Sequence, residues 1–358
     1  MNKAIINKPH PESANITPNR YEALDGLRTY AAIAIVLMHV LTNLTIKPSE
    51  NYFTNTLIPW FTDLTLLFMV VSGFSVCCGY YEKIKKGTIT PNIFYKMRYL
   101  RILPFFTSLC ILDIVVSPSI EQVYQLFANL TLCFNFIPNA NITMIGVGWF
   151  LGVVFAFYLL FPFYTFLLDN KKRAWISICI TLILVGMTTV YSYNAVIEIP
   201  SIERKNILYC MPLFMIGGII YLYRQTLCFN AKRKAIWFGV CTILTIMFFM
   251  FSEIRKSNFT SLLSELVLFA TWVIYAINSR DVILNNRLTK FISTISLEIY
   301  LCHMVIFRIV EKIHLEQYIK DNNILYILVC MIVLGGSICF SYVMKKHVLA
   351  YILQKRNK

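Results

Sequence analysis

Charge is scarce in this chain. Only 14% of its 358 residues are Asp, Glu, Lys or Arg, whereas a soluble domain carries roughly 25%. Hydrophobic residues make up 58% and the mean hydropathy is +0.63, so a polytopic membrane protein is expected. The length by itself allows two soluble domains, but apolar spans recur from end to end and leave no segment long enough for one. Metal-binding spacing is also lacking. There are 11 cysteines, yet no Cys-x-x-Cys or Cys/His zinc pattern occurs. Cys77, Cys78, Cys110, Cys179, Cys210, Cys241, Cys302, Cys330 and Cys339 lie in or at the edges of apolar spans, where thiols act as small hydrophobes. Neither a disulfide framework nor a metal site is expected. No cleavable leader is expected either, because Met1 to Glu22 is polar and has no hydrophobic core.

Ten apolar segments approach or exceed the length that spans about 30 Å of hydrocarbon. They lie near 29–46, 60–80, 101–117, 146–167, 175–193, 207–223, 235–251, 260–278, 291–309 and 323–344. The stretch 122–137 is apolar but interrupted by Asn129 and Asn135, and reads as re-entrant or interfacial. The fold class is therefore an all-α transmembrane bundle of about ten helices. It divides into a polar tail 1–22, the membrane domain 23–345 and a basic tail 346–358. With the N-terminus placed in the cytoplasm and the spans alternating, 25 of the 33 Lys and Arg fall on the cytoplasmic side. That asymmetry is the positive-inside rule, and it puts both termini inside. It also accounts for most of the net charge of +15 as topology, so nucleic acid is not an expected partner.

The stretch Leu24 to His39 concentrates the chemistry. A polar cluster, Asp25-Gly26-Leu27-Arg28, is followed by apolar residues and then a histidine inside the span. Eleven residues separate Arg28 from His39, about three turns and roughly 16 Å along one helix face. Ionisable groups in a membrane are expensive and mark functional sites by default. The blander account is an inside anchor and a hydrogen-bonded bundle histidine. His303, about twelve residues into its own span, should lie at a similar depth to His39 if both helices cross upright. Glu298, five residues earlier, is rotated by about 140° and should face a neighbouring helix rather than His303. Arg98 and Arg101 share a face at the mouth of the third span, and paired guanidiniums suit phosphate. They could equally be inside anchors. Ser72 and Gly73 are small enough to admit a neighbouring backbone. Asp63, near the outer end of that span, could meet an acceptor hydroxyl or a basic residue, and Trp149 could be an interfacial belt aromatic.

Leu24-Asp25-Gly26-Leu27-Arg28 followed by ten residues and His39 resembles the opening signature of the acyltransferase-3 family, integral membrane enzymes that move acyl groups onto extracytoplasmic glycans. Arg98-x-x-Arg101, Ser72-Gly73-Phe74 and Tyr300-Leu301-x-His303 are similar to further patches of that family. Trp149, Leu151, Phe157, Tyr158 and Pro162 match another, in which the family's serine and glutamate are replaced by Phe150 and Val154. The resemblance implies that Arg28 and His39 are required for activity. His39 would be general base or transient acyl carrier, His303 a second acid/base or positioning group, and Arg28, Arg98 and Arg101 a clamp for the phosphates of an acyl-CoA, most often acetyl-CoA. Asp25, Asp63, Ser72, Trp149 and Glu298 would support the site or its substrates. The implied acceptor is a sugar hydroxyl of an O-antigen, capsule, exopolysaccharide or lipid-linked saccharide, and the implied location is a bacterial inner membrane. The chain stops fourteen residues past its last expected span, which resembles the stand-alone class without a fused esterase-like domain. A transporter or flippase of a lipid-linked saccharide would also need many spans and buried ionisable groups. No clear repeat between the two halves, of the kind many carriers show, supports that alternative.

Overall fold

The computed structural model describes residues 21–133, 144–194, 204–251 and 258–349. The expected tails, 1–22 and 346–358, fall largely outside these residues. Among the described residues the structure is helical throughout, with no strand. The helices are α1 (Ala23–Asn43), α2 (Leu64–Val76), α3 (Glu82–Lys85), α4 (Pro91–Val116), α5 (Ile120–Thr131), α6 (Gly148–Leu168) and α7 (Lys171–Asn194). They continue with α8 (Ile207–Tyr223), α9 (Ala231–Met250), α10 (Asn258–Asn278), α11 (Arg287–Thr294), α12 (Ser296–Glu311) and α13 (Asn322–Met344).

Eight spans among the described residues are long and apolar enough to cross a membrane, and a ninth forms if α11 and α12 count as one. The shorter apolar α8 occupies the remaining expected segment. Each of the ten stretches read from hydropathy thus coincides with helix. Polar residues fix several starts: the side chains of Ser119, Asn206, Asn230 and Asp321 accept from backbone N–H groups in the first turns of α5, α8, α9 and α13, satisfying donors that lipid cannot.

Two segments differ from the simple expectation. The span read as 291–309 is broken, with α11 and α12 meeting at 68°. Around the break, Thr294 donates to the Phe291 carbonyl at 2.8 Å and Ser296 to the Ser293 carbonyl at 3.0 Å, local bonds that compete with helix continuation. The stretch 122–137 begins in α5, which exposes Val123, Tyr124 and Phe127; residues 134–137 lie outside the described set.

The centre of the bundle is held by backbone proximity. A Cβ on Gly73 would collide with the Phe214 carbonyl, and one on Gly217 with the Val70 carbonyl, so α2 and α8 approach more closely than any larger residue permits. Ser72 and Gly73 therefore divide the work: Gly73 packs on α8, while Ser72 lines a cavity. In contrast, α9 stands at the periphery and buries only Cys241 and Phe248. All eleven cysteines are free thiols.

Candidate active site

The Asp25–Arg28 cluster is docked against α11 and the loop before it. Asp25 accepts from the Ser293 hydroxyl at 2.8 Å and lies 3.5 Å from Arg28. Thr29 donates to the Thr289 carbonyl at 2.9 Å and Tyr30 to that of Ile283 at 2.7 Å. Gly26 is needed because a Cβ there would strike the backbone of Leu284. From this cluster the Arg28 guanidinium donates to the Ser75 hydroxyl at 2.6 Å.

Arg28 faces a cavity of about 380 Å³ that also takes in Arg98, Arg101, Ser72, Ser75 and Glu298. Three guanidiniums from two helices, α1 and α4, meet one carboxylate, an arrangement suited to a polyanionic ligand. Arg98 is buried, with its guanidinium 4.3 Å from the Tyr80 ring and 5.1 Å from that of Tyr158. Its Nε has no hydrogen-bond partner. A buried donor left unpaired is costly, so the cavity holds unused capacity to bind an acceptor-rich group. Val154, where the family pattern has glutamate, lines the same cavity, and Glu298 supplies a carboxylate there from α12.

Depth follows from helix direction. The cavity lies at the bundle end that carries the basic connections, and its lining residues farthest from that end are Phe68 on α2, Phe150 on α6 and Tyr300 on α12. Their rings pack mutually, with centroids 5.9 Å (Phe68–Phe150), 6.2 Å (Phe68–Tyr300) and 5.0 Å (Phe150–Tyr300) apart. One turn beyond Tyr300 along α12 comes His303, 5.9 Å from the Tyr300 ring and 5.0 Å from the ring of His39. The two histidines, from opposite ends of the chain, meet behind a cap of three aromatic rings.

His303 is fully buried, and its Nδ1 lies 3.3 Å from the Ile299 carbonyl. A carbonyl only accepts, so Nδ1 carries the proton and Nε2 presents a lone pair. Nε2 has no hydrogen-bond partner. His39 is half-buried and sits beside it. A buried imidazole with a bare nitrogen next to a second imidazole is a proton acceptor with a relay partner.

Residues 21–344 match the family model described as an acyltransferase domain, that of the acyltransferase-3 family. The chain belongs to the acyltransferase-3 family. It is 35% identical over 89 residues to a protein described as protein 2 in the picA locus, from Rhizobium radiobacter, an alignment covering 25% of this chain and 41% of that protein. The match thus spans about two fifths of the curated relative. No solved structure matches the chain.

In this acyltransferase-3 fold the remaining sequence candidates separate. Arg28, Arg98, Arg101, Ser72 and Glu298 converge on the cavity, and Asp25 supports Arg28. Trp149 is not among the cavity residues but packs edge-on against Phe150, with centroids 6.1 Å apart. Asp63 lies elsewhere, paired with Arg204 at 3.4 Å. Among the described residues no group of three or more His, Cys, Asp or Glu could hold a metal ion.

Sequence reading missed several participants. Ser75, Tyr80 and Tyr158 hold the arginines, and nothing in their spacing sets them apart from ordinary span residues. Phe68, Phe150 and Tyr300 are three of 48 Phe and Tyr in the chain, too many for composition to single out any. Glu265 did carry a signal. It is an acidic residue within an apolar span, and the structure buries it against Tyr209 and Ser261, each hydroxyl 3.0 Å away.

Proposed function

We propose that this protein is a multi-pass O-acyltransferase of a bacterial cytoplasmic membrane. It takes an acyl group, acetyl in the first place, from acyl-CoA on the cytoplasmic side and delivers it to a sugar hydroxyl of a surface or lipid-linked polysaccharide such as an O-antigen, capsule or exopolysaccharide. The observation that carries the reading is the continuous line from the arginine-lined cavity, through the aromatic cap, to the bare Nε2 of His303 beside His39.

The donor phosphates sit on Arg28, Arg98 and Arg101, which places the pantetheine arm along the cavity and the thioester at its far end. Donor recognition then uses charge-assisted hydrogen bonds that a flexible, hydrated ammonium would make less well. The acceptor hydroxyl approaches the histidines from the opposite side. As its oxygen attacks the thioester carbonyl, the C–O bond forms and the hydroxyl proton passes to an imidazole nitrogen. The C–S bond then breaks, and coenzyme A leaves as a thiolate that regains the proton. His39, less buried than His303, takes the proton from the hydroxyl, and His303 positions and relays through Nε2.

The test uses purified protein in lipid nanodiscs with radiolabelled acetyl-CoA and acceptor-bearing membranes. Label transferred to a base-labile ester, or acetate released in the absence of acceptor, supports the enzyme. Acetyl-CoA left intact under both conditions rules it out in favour of a carrier of saccharide.

A further inference from the structure

The three rings that cap the donor cavity stand where the acyl group must go. Once the thioester carbonyl reaches the histidines, the acyl tail leaves the carbonyl carbon at about 120° to the C–S bond. It is therefore driven sideways, into the ring layer rather than straight on. Tyr300 cannot easily yield, because its hydroxyl donates to the Val147 carbonyl at 3.3 Å and its ring is 1% exposed. Phe68 belongs to α2, whose backbone is fixed against α8 at Gly73. Phe150 packs on both of these rings, at 5.9 and 5.0 Å, and has the shortest centroid separation from Tyr300 within the cap. A phenyl side chain has no polar group with which to tether it. It is buried to 4% and lines the cavity.

We infer that Phe150 is the specificity-determining residue for acyl chain length, its ring filling the space that a tail longer than acetyl would occupy. This rests on the acyltransferase reading above and names the donor class within it: short acyl-CoA thioesters, with two carbons favoured. Protein interiors are close-packed, so a tail that meets a buried ring must displace it. Hydrophobic pockets discriminate by about tenfold or more per methylene, and that sets the scale of the effect. Truncating the ring opens room at the carbonyl without touching Arg28, Arg98, Arg101 or either histidine.

The experiment uses membrane vesicles from cells making the full-length protein, which carry the endogenous acceptor, supplied with radiolabelled acetyl-CoA or hexanoyl-CoA. The quantity read is the ratio of hexanoyl to acetyl label in base-labile ester. Phe150→Ala should raise that ratio at least tenfold over the natural protein. Phe150→Leu, which keeps more of the side-chain volume, should raise it less, and carries the test if the alanine variant fails to accumulate. Phe157, about two turns farther along α6 and stacked on Phe214 at 4.7 Å, provides the control. Phe157→Ala should lower total incorporation at most and leave the ratio unchanged. A ratio that stays at the natural value in both Phe150 variants while acetyl label is still incorporated overturns the inference and leaves the enzyme reading standing. An equal rise in Phe157→Ala also overturns it, since general loosening would then be the cause. Absence of label from either donor with the natural protein sinks the enzyme reading, and the inference with it.

Discussion

The rings of His39 and His303, 264 positions apart in the chain, lie with their centroids 5.0 Å apart. That contact joins the first span to the broken α11–α12 unit, beyond the ring cap of the arginine-lined cavity. It makes the imidazoles one unit, so their effects should not add. His39→Ala and His303→Ala should each lower acyl transfer by about 10²–10⁴-fold, the usual worth of general acid–base catalysis. The double variant should lose little more than the worse single one. Transfer rates in vesicles, normalised to protein level, measure this; fully multiplicative losses would show two independent roles.

Arg98 acts through shape as well as charge. Its planar guanidinium stacks between Tyr80 and Tyr158, which a lysine ammonium cannot reproduce. Arg98→Lys should therefore raise the KM for acetyl-CoA almost as much as Arg98→Ala, by about tenfold or more, the worth of a charge-assisted hydrogen bond. Recovery of the natural KM by lysine would reduce Arg98 to a point charge.

The close approach of α2 to α8 leaves no room for a side chain at Gly73. Gly73→Ala puts a Cβ into the Phe214 carbonyl, and backbone cannot swing aside as a side chain would. A loss of about 1–3 kcal/mol is expected, as for overpacking, read as a lower unfolding midpoint in detergent. Gly335 has nothing within 4 Å of its added Cβ, so Gly335→Ala should leave the midpoint alone or raise it slightly.

At the opposite end of the bundle from the basic connections, the fully buried carboxylate of Asp113 pairs with Arg308, which also donates to the Met144 carbonyl at 3.4 Å. Asp113→Ala strands a largely buried guanidinium. It should cost about 3 kcal/mol, near the lower end for a broken buried pair because Arg308 keeps some exposure. Replacing both, as Asp113→Leu with Arg308→Met, should recover most of that loss. Equal damage from the single and double variants would mean that the residues pack rather than pair.

Between α10 and α11, Asp281 is held at about 2, chiefly by hydrogen bonds from Ser279 and Tyr275 and then by Lys234. Its folded pKa lies below the unfolded value, so it contributes stability above about pH 4, and this is lost as pH falls towards about 2. Asp281→Asn should flatten that part of the stability profile, followed as the unfolding midpoint in detergent, and an unchanged slope would remove Asp281 from the account.

Much of the architecture is legible in the sequence, because lipid imposes one rule: backbone must satisfy itself, so long apolar stretches become helices. The same rule exposes Arg28 and His39, and helix rise alone places His303 near the depth of His39. Other features depend on contacts with no sequence period. At Ile295 a span that hydropathy reads as continuous is broken. Asp63 reads as a partner for an acceptor hydroxyl or a basic residue, and which basic residue it meets, Arg204 from a segment between spans, has no sequence signal. The ring cap combines one aromatic residue from each of three helices, and only their packing makes Phe68, Phe150 and Tyr300 differ from other aromatics. Glu265 shows the reverse case, an acid in an apolar span whose burial in α10 the sequence does signal.

The most direct test of the central claim compares surface polysaccharide from cells carrying the natural protein, His39→Ala and an empty vector, with membrane levels of both proteins matched. Ester-linked acetyl is measured by NMR before and after mild base. Base-labile acetyl present with the natural protein and absent from the other two is the predicted result. Acetyl that persists undiminished in His39→Ala would contradict the assignment of His39 to the chemistry, and with it the reading of the histidine pair as the centre of the site.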